Sequence, residues 1–389
     1  MRAVANLIGG RGRRALWLAG AVGTVLLVVD VFLDRRDVFF SYLFVWWFLL
    51  GISLGSLAIL MVHNLSGGAW GERIRPGLNA ATRMLPAMLV LSIPLWFGLR
   101  DLYPWARAAE VGASELLQDK AWYLDPTFFF VRGATYFAIW LLVAHLQRKW
   151  AYGRGANGDS VEARRLRTVS ALGLLMYSLT VTFAAVDWIM SLFPQWYSTT
   201  FGLLSGIGQA LAAFSFAIVC AAWDRRGADP HTASVFHDLG NLLLMFVMTW
   251  AYLAFTQYLI TWAEDLPNEI VWYLPRVLTT WHWVAIVLIV FHFALPFVVL
   301  LSRRAKRAPQ ALGTLAAILL LAHLVDSLWL VMPALRPAGF AVTFRDLSTV
   351  LALGGIWLAL FVAFAAGDAT PGKRASGGAS RRNEAIGHA

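Results

Sequence analysis

Ionisable side chains fall within or at the ends of the long apolar stretches of this sequence, among them Asp30, His63, Arg132, His145, Asp187, Asp238, His282, His292, His323 and Asp326. A charge near the centre of a bilayer costs about 2.5–3.5 kcal/mol on insertion scales, so each of these groups needs a partner or a task. His323 and Asp326 are three residues apart, which puts them on one helical face within hydrogen-bonding reach. Arg132 lies roughly 10 Å below the end of its stretch at 1.5 Å per residue, and Asp187, at a similar depth, is its expected partner. Such a pair serves structure or proton transfer equally well.

Proton transfer is the chemistry these residue types suit best. A carboxyl held out of water keeps its proton more tightly, which brings release and uptake toward neutral pH. Thr180 and Asp187 are seven residues apart, two turns on one face, with Tyr177, Ser178 and Thr182 beside them. Hydroxyls both donate and accept, so such a ladder can pass a proton. Ser and Thr also bond to their own helix backbone, and for any single hydroxyl that is the commoner outcome. Gln257 and Glu264 repeat the seven-residue spacing on the stretch that opens with Asp238. Glu264 then stands at the water boundary as an outer proton exit, whereas Asp265 and Glu269 have turn-building roles near Pro267.

Metal and redox centres are poorly supplied. A single cysteine, Cys220, excludes an iron–sulfur cluster, a CxxCH haem attachment and an internal disulfide. The eight histidines do not recur at the paired spacing of a two-haem bundle, which leaves one facing pair, such as His282 with His323, as a conceivable haem site. No metal or other cofactor is expected on this chain, and any redox centre belongs to a partner.

The elements that position these groups follow from composition. Hydrophobic residues make up 59% of the 389 residues and charged residues 14%, with mean hydropathy +0.64, far more apolar than a soluble chain needs. About 20 apolar residues cross the roughly 30 Å hydrocarbon core. Ten such runs appear, near 14–33, 38–62, 80–99, 125–147, 168–193, 197–223, 237–263, 277–302, 310–332 and 345–366. The expected fold is all-α and polytopic, an integral membrane domain over 1–366 followed by a disordered tail over 367–389, rich in Gly, Ser and charge.

Of the 32 Lys and Arg residues, 23 fall at the termini and in the loops on the same side as them, and 8 on the other side. The positive-inside rule places both termini in the cytoplasm. The same distribution accounts for the net charge of +10 without a nucleic-acid face, which would need a clustered basic stripe. The first run is too long for a signal peptide and lacks a clear cleavage site, so it is expected to remain as a helix. Residues 101–124 read as a short helix on the outer surface, open to a partner. Gly51 and Gly55, and Gly202, Gly206 and Ala210, are spaced for close helix packing. Trp105, Trp122, Tyr123, Trp196, Tyr197, Trp262, Trp272 and Tyr273 read as an interfacial belt against lipid headgroups.

Four stretches carry a more specific pattern: YLFVWWFLLGISLGSLAILMVHNLSGGAWG, LTVTFAAVDWIMSLFPQWYSTTFG, DLGNLLLMFVMTWAYLAFTQYLITWAEDLPNEIVWYLPR and FHFALPFVVLLSRRAKR. They resemble the F subunit (ActF) of bacterial alternative complex III, within the NrfD/polysulfide-reductase membrane-subunit family. The resemblance spans runs two to eight in order. It implies two four-helix bundles, runs two to five and six to nine, flanked by the first and last helices. It also implies a complex in the bacterial cytoplasmic membrane that oxidises quinol and passes electrons to cytochrome c or an oxidase. Its partners would be a paralogous ActC-type subunit, an iron–sulfur subunit, multihaem cytochrome c subunits and a terminal oxidase.

Within such a complex the F-type subunit is assigned proton conduction or structural support. One half-channel would begin near Asp238, His63 and His145, and the other would end near Asp187, Asp30, Asp326 and Glu264, with His292, His323, Thr180 and Gln257 between. A quinone-binding role is the alternative, with His282 as its polar group. A stand-alone secondary transporter is the third, and the sequence lacks the paired broken helices that such a protein would show.

Overall fold

The computed structural model describes residues 2–151, 161–223 and 231–367. The tail beyond Gly367 lies outside them. Among the described residues there is no strand, and ten helices are long and apolar enough to cross a membrane. They are α1 (Gly9–Leu33), α2 (Arg35–Ser66), α3 (Ala69–Phe97), α4 (Pro126–Ala151), α5 (Val161–Leu192), α6 (Phe201–Ala222), α7 (Thr232–Glu264), α8 (Trp281–Leu301), α9 (Pro309–Ala334) and α10 (Phe344–Ala366). An even number of crossings returns the chain to the side where it began. The bundle therefore has a terminal end, holding Gly9 and Ala366, and an opposite end.

Packing divides the helices as expected. α2 packs against α3 and α5, and α4 against α5; α6 packs against α7 and α9, and α8 against α7 and α9. These are two four-helix groups, with α1 and α10 paired beside them. The groups meet chiefly where α2 lies along α6. Small residues make that contact close, because a Cβ added at Gly55 would stand 2.2 Å from the Gln209 carbonyl oxygen. The spacing of Gly51 and Gly55 thus reports backbone approach. α2 is buried on nearly every face, so an all-round apolar sequence is what its position demands.

The third helix departs most from expectation. Its first part, Ala69–Thr82, is polar enough to read as loop, yet it folds as an amphipathic helix that buries Gly71, Ile74, Gly77, Leu78 and Ala81. Its second part is broken into Leu85–Val90 and Ile93–Phe97, each opening with a proline near its start. α8 is also irregular, with a π-helical segment at Ile289–Ala294. α7 and α4 hold the matching positions in the other four-helix group, and both are continuous. Breaks paired across two halves, the pattern of a transporter, are not what these elements form.

The segment 101–124 forms short turns at Pro104–Ala106, Ala108–Ala113 and Glu115–Asp119. Tyr103, Trp105 and Leu117 anchor it into the core, and Lys120 Nζ donates to the Pro194 carbonyl at 2.7 Å. The aromatic belt is only partly a belt. Trp122, Tyr197 and Trp262 are exposed, but Trp105, Trp196, Trp272 and Tyr273 are buried. Trp196 and Trp272 stack at 4.2 Å, closing the opposite end of the second group with aromatic faces rather than lining the bilayer surface.

Candidate functional site

The two ends of the molecule are held by charge networks. At the opposite end of the first group, Arg132 donates from Nε and Nη2 to the two oxygens of Asp187, both at 2.9 Å. The Tyr136 hydroxyl donates to Asp187 Oδ2 at 2.7 Å, and Arg132 Nη1 reaches the Tyr123 carbonyl at 2.8 Å. The guanidinium also lies over the rings of Tyr123 and Phe128. Burial, reinforced by the negative Asp187, holds the Tyr123 phenol above its ordinary pKa. The expected pair forms, and it is a saturated one: a bidentate, doubly supported ion pair of structural character.

The hydroxyl ladder toward Asp187 dissolves into local bonds. Ser178, Thr180 and Thr182 each donate to the carbonyl four residues earlier, and Thr180 Oγ1 also accepts from the Trp140 indole at 2.8 Å. These are helix back-bonds, and they lead nowhere. None of these three hydroxyls donates to Asp187.

A second network at that end was not foreseen. Arg336 donates to Asp37 and, at 2.9 Å, to Asp346, and Ser41 donates to Asp346 at 2.6 Å. Arg345 reaches Asp37 at 3.3 Å, and Ser348 donates to Asp30 at 3.2 Å. Burial works against the Arg336 charge, but the bonds and charge of Asp346 and Asp37 prevail and hold its pKa above the ordinary value. This fastens the helix pair α1 and α10 to α2. The signal for it was Thr343 followed three residues later by Asp346, a capping box at the start of α10.

Arg276 was not foreseen either. It is buried, and among the described residues no carboxylate pairs with it. Its Nη atoms donate to the Trp272, Trp329 and Leu330 carbonyls, and its guanidinium lies 3.5 Å from the centre of the Trp272 ring. Burial lowers its pKa well below the ordinary value. The negative end of the α9 dipole and the indole face offset that cost.

At the terminal end, His63 is buried with Nε2 3.0 Å from the Gly68 carbonyl and Nδ1 3.4 Å from Arg75 Nη1. A tautomer donating from Nε2 and accepting at Nδ1 satisfies both. Glu72 lies 3.9 Å from His63 and 3.3 Å from Arg75, and is 63% exposed. Arg75 Nη2 donates to Asn64 at 3.0 Å, and Asn64 donates to Gln147 at 2.8 Å and to Ser170 at 3.2 Å. The expected companions of His63, His145 and Asp238, are instead exposed on α4 and α7. Both helices are apolar nearly all round, so their sequence does not say which way one polar residue turns.

At mid-depth the structure assembles a different cluster. His292 on α8 and His323 on α9 stack with ring centres 5.6 Å apart, and His323 Nδ1 lies 3.5 Å from Asp326 Oδ2. All three are buried. Among the described residues, neither nitrogen of His292 has a hydrogen-bond partner, nor does Nδ1 of His323. The edge of the His292 ring meets Trp250 at 4.0 Å between centres. His292 is about 14 to 16 Å from either end of α8 at 1.5 Å per residue, near the centre of the membrane. The π-helical turn that carries it is a form often found at functional sites.

The remaining expected groups lie apart from this cluster. His282 is half-buried and its Nδ1 binds the Thr279 carbonyl at 2.7 Å; the ring that faces His323 belongs to His292. Gln257 is buried and bonds to Tyr273 and Ser198. Glu264 is exposed at the end of α7, so the two do not share one environment despite their spacing. No group of three or more His, Cys, Asp or Glu residues among those described is arranged to hold a metal ion.

Fold and site together define an all-α, multi-pass membrane protein with a buried imidazole–carboxylate centre. Set beside known proteins, the chain matches no family model and no curated protein.

Proposed function

We propose that this chain is a membrane subunit of a quinol-oxidising respiratory complex similar to bacterial alternative complex III. Its part is to pass protons through the membrane interior while partner subunits carry the electrons. One observation carries the proposal: His292, His323 and Asp326 lie buried at mid-depth, and both nitrogens of His292 lack a hydrogen-bond partner among the described residues. Unpaired buried polar groups are costly, and a purely structural core would replace them with apolar side chains. Histidine and aspartate instead hold and release single protons.

In this reading the chain has no redox centre of its own. Quinol chemistry, iron–sulfur clusters and haem c belong to an ActC-type subunit, an iron–sulfur subunit and multihaem cytochromes, with a terminal oxidase as acceptor. The complex sits in the bacterial cytoplasmic membrane, with both termini of this chain in the cytoplasm. His63 and Glu72 then face the cytoplasm and take up protons, and the end holding Asp30 and Glu264 faces outward. Redox change in the partners biases which side His323 and Asp326 exchange with, as ligands bias any two-state equilibrium.

The test is Asp326→Asn in vesicles carrying the assembled complex. Quinol oxidation continues while protons moved per electron fall. An unchanged ratio in an intact complex sinks the proposal.

A further inference from the structure

Between the terminal-end network and the central histidines lies a seam of polar groups along α5, α6 and α2. Ser170 and Tyr177 are both buried on α5, seven residues and two turns apart. Ser170 belongs to the network of Asn64 and Gln147. The Tyr177 hydroxyl crosses to α6, donating to Gln209 Oε1 at 3.2 Å, with the Gly206 carbonyl at 3.3 Å as its other acceptor.

Gln209 is buried where the two four-helix groups touch, its side chain against Gly51 of α2. The residue before it, Gly208, lies so close to His323 that an added Cβ would stand 2.9 Å from the ring. One contact therefore reaches Tyr177 on one side and the central site on the other.

The seam is rich in donors that find no acceptor. Among the described residues, Gln209 Nε2 has no hydrogen-bond partner, nor has Ser205 Oγ one turn away on α6, nor Ser56 Oγ on α2 beside Gly55. With His323 Nδ1 and the two nitrogens of His292, these are buried polar atoms of α2, α6, α8 and α9 without a hydrogen-bond partner among the described residues. Buried groups of this kind are normally satisfied by ordered water.

We infer that Tyr177 and Gln209 form a water-bridged crossing by which protons pass from the first four-helix group to His323. This rests on the proton-carrying reading above. The excess proton travels through the bridging water as hydronium and ends on an imidazole nitrogen of His323, leaving a neutral water behind. Tyr177 and Gln209 keep their own protons. They are positioning residues that orient the water by accepting from it and donating to it.

Two measurements test this. Hydroxyl-radical footprinting of the whole chain in membranes labels side chains that touch internal water. Tyr177 should be labelled several-fold faster than the equally enclosed Tyr273, and Gln209→Leu should remove the difference; equal labelling of Tyr177 and Tyr273 overturns the crossing. In vesicles of the assembled complex, Tyr177→Phe and Gln209→Leu should lower protons per electron while quinol oxidation continues. If they leave the ratio unchanged but His323→Asn lowers it, the crossing is wrong and the proton-carrying reading stands. If His323→Asn also leaves it unchanged, that reading falls and takes the crossing with it.

Discussion

At the scale of single residues, Arg132 and Asp187 separate a structural charge from a working one. Asp187 accepts from Nε and Nη2 of the guanidinium and from Tyr136, so most of the acceptor capacity of its carboxylate is used. Removing one member of such a buried pair strands the other and costs about 3–5 kcal/mol, whereas replacing both with apolar residues of similar size is often close to neutral. Asp187→Asn should therefore lower the unfolding midpoint in detergent markedly, and Arg132→Met with Asp187→Leu should recover most of the loss. Tyr136→Phe should cost less, about 1.5–3 kcal/mol for one bond to a charged acceptor. A stable Asp187→Asn protein with impaired proton transfer would instead assign Asp187 a working role. This pair was legible in the sequence because one cation and one carboxylate lay at matching depth. The His292–His323 contact was not, since it depends on a π-helical turn that shifts the face of α8 by a residue.

At the scale of helices, close approach explains the glycines better than any ligand does. A side chain at Gly55 would drive into the Gln209 carbonyl and the Ala213 methyl, and overpacking a close contact costs typically 1–3 kcal/mol. Gly55→Ala should thus reduce the yield and thermal stability of the folded chain, while Gly112→Ala, with open space around it, should change neither. Thermal shift in one detergent compares them directly. Gly71 is a second such position: its missing Cβ is what lets the His63 ring lie against α3. The start of α3 was hidden because Glu72, Arg73 and Arg75 break the apolar run that marks a membrane helix. Its amphipathic pattern, with Ile74 and Leu78 turned inward, is that of a helix lying against a larger core. Helix ends elsewhere lie within five residues of the apolar runs, except that α5 starts at Val161 rather than near 168, since bilayer thickness fixes the length of an apolar crossing.

At the scale of the whole molecule, two four-helix groups meet chiefly along α2 and α6, with α5 also packed on α6 and α9 on α2. The direction of any proton movement then depends on which end faces the cytoplasm. We propose that the terminal side is the cytoplasmic one, since 23 of the 32 basic residues belong to it. A difference of that size sets orientation because cationic loops near the membrane resist translocation. Cys220 is the single cysteine and is buried, so Cys220→Ala gives a background free of thiols. In it, Glu264→Cys should react with a membrane-impermeant maleimide on intact cells, and Ser66→Cys only after the membrane is opened. Both positions are exposed, at opposite ends of the bundle. The reverse pattern would turn the molecule over. Glu72 and His63 would then face outward as a site of release, and the Asp30 and Glu264 end would become the side from which protons are drawn.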